Sequence, residues 1–259
     1  MKHSIITLPQ QMKYSSFVSG VIFSLLFLLS PFCGLAGSNP TQSGPFFDAT
    51  DQFMKSYVKN GKVDYSGIRQ NRSPLNKAWN AAKDVRVTVS NANEYQAYWI
   101  NVYNLAVIKT IVEHPPVDSP LKIDGIFKSK KHAVGGKNVT LDQIENELLR
   151  KPFNDPLIHF VLVCGAKSCP PLINQAYRPE TLKSQMKTQA KKAINSAYFC
   201  EVKPSEKKVY VSMIMKWYNS DFTQDGATEI QFLNKYRNNP IPKGYQVAFK
   251  EYNWDLNDQ

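Results

Sequence analysis

Residues 92–113 read ANEYQAYWINVYNLAVIKTIVE, and this stretch decides the fold. Ala97, Asn101, Asn104, Leu105, Ile108, Ile111 and Val112 recur at the three- and four-residue spacing of one helix face. Pro115-Pro116 forbids continuation, so the spacing predicts a helix from about Ala92 to Glu113. Asn101 and Asn104 then lie on its otherwise apolar stripe, and buried amides need partners.

Before this helix, Phe46 to Asn60 carries Phe46, Phe53 and Tyr57 at helical spacing and stops at Gly61, and a second helix is predicted over Arg72 to Ala82. After it, Thr140-Leu141-Asp142-Gln143 has the form of a capping box opening a helix to about Arg150, ahead of Pro152. Leu141, Ile144, Glu145 and Leu148 share one face there, which puts a carboxylate on the apolar side. Leu157 to Cys164 is almost uniformly apolar and reads as a central strand covered on both faces. Glu180 to Phe199 is a lysine-rich amphipathic helix with Leu182, Met186, Ala190, Ala193 and Ala197 inward. Strands at about Cys200–Lys203 and Lys208–Ser212 flank the turn Pro204-Ser205-Glu206, short helices follow near Met213–Asn219 and Thr228–Arg237, and Tyr245–Tyr252 is extended. Helices first and strands later predict an α+β domain, its N-terminal helices packed on a largely antiparallel sheet. No linker interrupts residues 45–259, which read as a single domain.

The N-terminus differs. Lys2 and Lys13 precede the apolar run of residues 17–29, Pro31 breaks it, and Gly34, Ala36 and Gly37 follow. Residues 1–36 therefore read as a cleaved secretory signal peptide, too short in its apolar part to span a bilayer, and residues 37–44 as a flexible leader. The expectation is a periplasmic or secreted protein with no stable membrane span after cleavage. The net charge of +11 falls to +9 once Lys2 and Lys13 leave, a balance that favours an anionic envelope polymer, a peptide or a protein partner. Lys128-Ser129-Lys130-Lys131-His132 has no interleaved aromatic residues, so it reads as a solvated loop and nucleic acid is not expected.

Several stretches together resemble the domain-of-unknown-function 547 family. Residues 95–104, YQAYWINVYN, are similar to its AFWINxYN helix, and residues 141–150 resemble its LxxIEHxxLR segment. Residues 159–172 resemble its HFxLxCGAxSCPPL core, while Trp217-Tyr218, Asp221-Phe222 and Tyr252-Asn253-Trp254 fit its later part. The resemblance covers about Val63 to Leu256 and brings no activity with it, because the family's name records that its activity is not established. Asn146 stands where the family usually has histidine, which puts in doubt any mechanism that needs an imidazole there.

The chemistry-bearing residues are Cys164, His159, Glu145 and Asn101, a candidate catalytic set for thiol chemistry. In a regular strand His159 and Cys164 differ by an odd number of positions and face opposite sides, so a direct dyad would require a bulge. Cys164 and Cys169 also make a candidate disulfide, the default in an exported chain. Glu145 stands either as a general base or an orienting partner for His159, or as a structural acceptor for backbone N–H groups, Arg150 or a lysine, and Trp99, Tyr103, Trp217 and Tyr218 read as core. His114, His132 and His159 lack paired ligand spacing, so neither metal nor cofactor is expected. Two functions stand: a cysteine-dependent hydrolase or acyl/amide transferase of the cell envelope, and a non-catalytic binding module held by a Cys164–Cys169 bridge.

Overall fold

Helix α1 (Gly44–Tyr57) begins inside the segment expected to be a leader, with Pro45 in its first turn, where a missing N–H costs nothing. The computed structural model describes residues 43–259; residues 1–36, expected to be a signal peptide, and residues 37–42 of the expected leader lie outside the described residues. Asn60 and Gly61 both take positive φ, so the chain turns there in a two-residue hairpin between β1 (Val58–Lys59) and β2 (Lys62–Val63). The helix expected to reach Asn60 therefore ends at Tyr57. Helices α2 (Tyr65–Gln70) and α3 (Ser73–Lys83) follow.

Helix α4 (Ala92–Glu113) has the expected bounds but is buried nearly all round rather than along one stripe. It is the axis of the larger core, with α1, α3, α2 and the following helix packed about it. Its C-terminus is closed from outside: the Arg69 guanidinium donates to the carbonyls of Ile111, Val112 and His114 at 2.8, 2.6 and 2.6 Å.

Beyond β3 (His132–Val134) and β4 (Lys137–Val139), helix α5 covers residues 141–153. It starts on the expected Thr140–Gln143 capping box. Its middle, Ile144–Arg150, is π-helical, with Lys151 N–H bonding to Asn146 C=O. The widened turn carries the helix past Pro152, which has no N–H and would clash in α geometry, to a left-handed stop at Asn154. His132, expected in a solvated loop, is buried edge-on against Trp79, while Lys128 and Lys131 are exposed. Burial and the charges of Lys130 and Lys109 push its imidazole down to about 4, so it is neutral at neutral pH.

The expected central strand over 157–164 does not form. Asp155 caps a 3-10 turn, Pro156–Phe160, by accepting the Leu157 N–H at 2.9 Å, with Pro156 at its start. The remainder runs extended with no strand beside it, and α4 supplies its partners instead. Asn104 donates to the Val161 carbonyl and accepts the Val163 N–H, both at 2.9 Å. Helix α6 (Leu182–Ile194) buries Leu182, Met186, Ala190 and Ala193 as expected and ends before Ala197, which is exposed. The hairpin of β5 (Cys200–Lys203) and β6 (Lys208–Val211) is antiparallel, and β7 (Gln246–Phe249) joins β6 in parallel. This sheet lies with α7 (Met213–Trp217), α8 (Asn219–Phe222) and α9 (Glu229–Asn234) around a second core holding Phe160, Phe199, Phe222 and Phe232. The fold is α+β and a single domain; its strands form small sheets, mostly antiparallel, rather than one broad platform.

Candidate active site

A cavity of about 460 Å³ opens between α5, α7 and the last residues of the chain, and its wall includes Glu145, His159, Cys164 and Cys169. Three of the four candidate catalytic residues therefore meet in one place. The parity argument that separated His159 from Cys164 fails because a 3-10 turn, not a strand, carries His159. The fourth, Asn101, is not on the wall. Its amide is fully occupied elsewhere, donating to Ala97 and Tyr177 carbonyls at 2.8 and 2.7 Å and accepting the Tyr177 N–H at 3.0 Å. Asn101 and Asn104 thus do the same job one helical turn apart, each giving an extended segment the pair of bonds a neighbouring strand would give.

The cysteines sit on a loop that the C-terminal segment holds. Lys167 N–H bonds to Asp255 C=O at 2.8 Å, Asn257 N–H to Gly165 C=O at 2.9 Å, and Ala166 bridges Leu256. Gly165 takes φ +90°, and a Cβ there would come within 2.9 Å of Ile111 on α4, so only glycine lets the loop lie this close. The same pairing brings Tyr252 to the sulfurs. Its hydroxyl donates to Cys169 Sγ at 3.3 Å, and the Cys164 N–H donates to the same atom at 3.2 Å. The two sulfurs are 2.7 Å apart and unbonded. Burial alone would raise the Cys169 thiol, but donation from the Cys164 thiol, Tyr252 and the Ala166 and Cys164 N–H groups outweighs it and lowers it. Cys164 is held protonated, first by its bond to Cys169 and then by burial. Burial and the neighbouring cysteine charge likewise keep the Tyr252 phenol protonated.

Along α5, Asp142, Asn146 and Arg150 stand at four-residue intervals and form a chain. Asn146 Nδ2 donates to Asp142 at 3.1 Å, and Arg150 donates to the Asn146 oxygen. Arg150 then grips Asp221 with two bonds of 2.8 and 2.9 Å, and Asp221 takes His159 Nε2 at 2.7 Å. Burial would raise the Asp221 carboxyl, yet His159 and Arg150 hold it well below the usual carboxylate range. So the arginine expected as a partner for Glu145 serves Asp221. An amide at position 146 suits this chain because it accepts from Arg150 while donating to Asp142, which a single tautomer of histidine would have to do through two distant ring nitrogens.

His159 stacks on Tyr218 with ring centroids 4.0 Å apart, and Arg150 Cζ lies 4.8 Å from the centroid of the same tyrosine ring. Burial and then the nearby Glu145 charge keep the Tyr218 phenol protonated, so a neutral hydroxyl stands beside that carboxylate. Trp99 and Tyr103 are buried as expected, but Trp217 is 46% exposed. It packs on Tyr252 and Trp254, with centroids 4.8 and 5.9 Å away, at the cavity wall. Asp221 and Tyr252 lie in stretches that resemble the family's later part, but local pattern gives them no role, since each acts on residues 62 or more positions away. Among the described residues no cluster of three His, Cys, Asp or Glu side chains could hold a metal ion.

No curated protein and no solved structure matches the chain. A family model does: "Protein of unknown function, DUF547" matches residues 87–194, from the turn before α4 to the end of α6. That span supplies Glu145, His159 and both cavity cysteines, while Asp221 and Tyr252 come from beyond it. Four sequence motifs in order and this match agree, and residues 87–194 carry a DUF547 domain.

Proposed function

We propose that this domain is a cysteine-dependent hydrolase or acyl/amide transferase of the cell envelope, with Cys169 rather than Cys164 as the nucleophile. The observation that carries the reading is the set of donors on Cys169 Sγ: the Cys164 N–H, the Tyr252 hydroxyl and the Cys164 thiol, all at the wall of one cavity. A thiolate supported in this way adds to an acyl carbon, the new S–C bond forms, and the bond to the departing nitrogen or oxygen breaks. The departing atom takes the proton shared by the two sulfurs. Water then cleaves the thioester and gives a proton to Glu145, and that proton returns to the sulfur pair, restoring the starting state. His159 is a positioning residue in this scheme: Asp221 fixes it, and it fixes Tyr218. Location in the envelope is part of the proposal and is supported by the signal-like residues 1–36.

A second reading is favoured by the closeness of the two sulfurs. Oxidised, the pair would close a short loop and leave the cavity a binding site for an anionic polymer or a protein partner.

Acyl trapping separates the two. The reduced protein is treated with p-nitrophenyl acetate, quenched in acid and mapped by mass spectrometry. The hydrolase reading expects an acetyl group on Cys169, absent from Cys169→Ala. In Glu145→Gln it persists about a hundredfold longer, the size of a lost general base. An unacylated pair of cysteines, with hydrolysis no faster than in the double Cys→Ala variant, leaves the binding module standing.

A further inference from the structure

A second cavity, of about 190 Å³, lies behind the cysteine loop, and Cys169 is part of its wall as well as of the first. Two cavities therefore meet at the residue assigned as nucleophile. Their chemistry is opposite. Asp142 and Glu145 outnumber the one lysine, Lys128, on the wall of the first, whereas the second is lined by Lys62 and Lys167 and, among the described residues, by no acidic side chain. Lys167 is bound to Asp255 at 3.1 Å, but Lys62 has no carboxylate partner among the described residues. Pro170, Pro171 and Tyr198 make the rest of the wall largely apolar.

Asn257 completes the site. It is only 5% exposed, and its amide oxygen accepts the Tyr65 hydroxyl at 2.9 Å. Its amide nitrogen has no acceptor among the described residues, although the residue lines the cavity. That nitrogen is not sealed in the interior but open at the cavity, where it can donate to an acceptor from outside. The acceptor that matches an amide N–H, two ammonium groups and small apolar walls is a carboxylate on a short carbon frame. Cys169 itself lines this cavity, together with Tyr198, so a ligand held there lies beside the sulfur.

We propose that the second cavity is a carboxylate-binding subsite that holds the carboxylate-bearing fragment of the substrate, of amino-acid size, on the leaving-group side of Cys169. Its place in a reaction rests on the thiol reading above; its ligand chemistry does not. In the first half-reaction the Cys169 S–C bond forms, the acyl C–N bond breaks, and the departing amine nitrogen takes the proton shared by the two sulfurs. The amine leaves with its carboxylate held by Asn257, Lys62 and Lys167.

The test uses the Cys169→Ala protein, so that catalysis plays no part. The side-chain amide signals of Asn257 are followed by 1H–15N NMR while N-acetylglycine, or its neutral amide N-acetylglycinamide, is added. The proposal expects saturable shifts with the acid, none with the amide, and binding weakened about tenfold or more in Lys62→Glu, an exposed position whose reversal adds repulsion without disturbing the core. Equal responses to the two probes, or no response to either, overturns it. Wild-type acyl trapping reports separately on the nucleophile. Saturable binding without acylation leaves the subsite and removes the thiol mechanism, while acylation without binding does the reverse.

Discussion

Replacing Asn104 by leucine lowers the unfolding free energy by about 2–5 kcal/mol, the sum expected for two buried backbone groups deprived of partners. Leucine is close in size, so no large cavity forms; what is lost is the pair of bonds to Val161 C=O and Val163 N–H. No strand lies beside that segment to replace them, and Asn104 is almost fully buried. Urea unfolding should show a lower midpoint with an unchanged slope. Asn101→Leu frees the Tyr177 backbone in the same manner and is expected to cost a similar amount. Only the Asn104 variant loosens the segment leading into Cys164, so only it should also slow modification of Cys169. Equal thiol reactivity in the two variants would separate the asparagine pair from the site.

Asp221→Asn is the second large effect. Asp221 is 16% exposed on its side chain and balances both Arg150 and His159. The amide accepts one bond but carries no charge, leaving a half-buried guanidinium unmatched, at an expected cost of about 2–4 kcal/mol at neutral pH. The pH dependence has a definite sign. The folded state holds the Asp221 carboxyl below its unfolded value, so its contribution is complete above the ordinary carboxylate range near pH 4 and is lost as the pH falls through the folded value. The difference in melting temperature between wild type and Asp221→Asn should therefore be largest near neutrality and shrink below about pH 4. A difference that grows on acidification contradicts the assignment of Asp221 as the charged centre of the network.

Much of the helical frame is written locally. The Ala92–Glu113 helix, the Thr140 capping box and the β5–β6 hairpin follow from periodicity and cap residues alone. The error over 157–164 has a physical origin. An apolar run was read as a strand because burial was attributed to a sheet, whereas here the burial comes from a helix whose asparagines bond to the extended backbone. Asp155-Pro156, a side-chain cap followed by a residue preset for a helical first turn, was the local signal for the 3-10 turn. The site divides in the same way. Glu145, His159 and the cysteines fall within motifs, so residue type and neighbourhood expose them. Asp221 and Tyr252 reach the site only through tertiary packing, and no spacing in the chain records that Arg150 answers Asp221 and not Glu145. Cys169 differs from Cys164 likewise only in tertiary geometry: it accepts the Cys164 N–H, and the Tyr252 hydroxyl lies 3.3 Å from it against 3.6 Å from Cys164.

The most direct test of the account is the pH dependence of iodoacetamide alkylation at each cysteine, read by peptide mapping of the reduced protein. The account predicts that Cys169 reacts first, with a midpoint below the ~8.5 of an ordinary thiol, that Cys164 lags behind it, and that Tyr252→Phe moves the Cys169 midpoint upward. Preferential alkylation of Cys164, or a Cys169 midpoint at or above that of a free thiol, would contradict it.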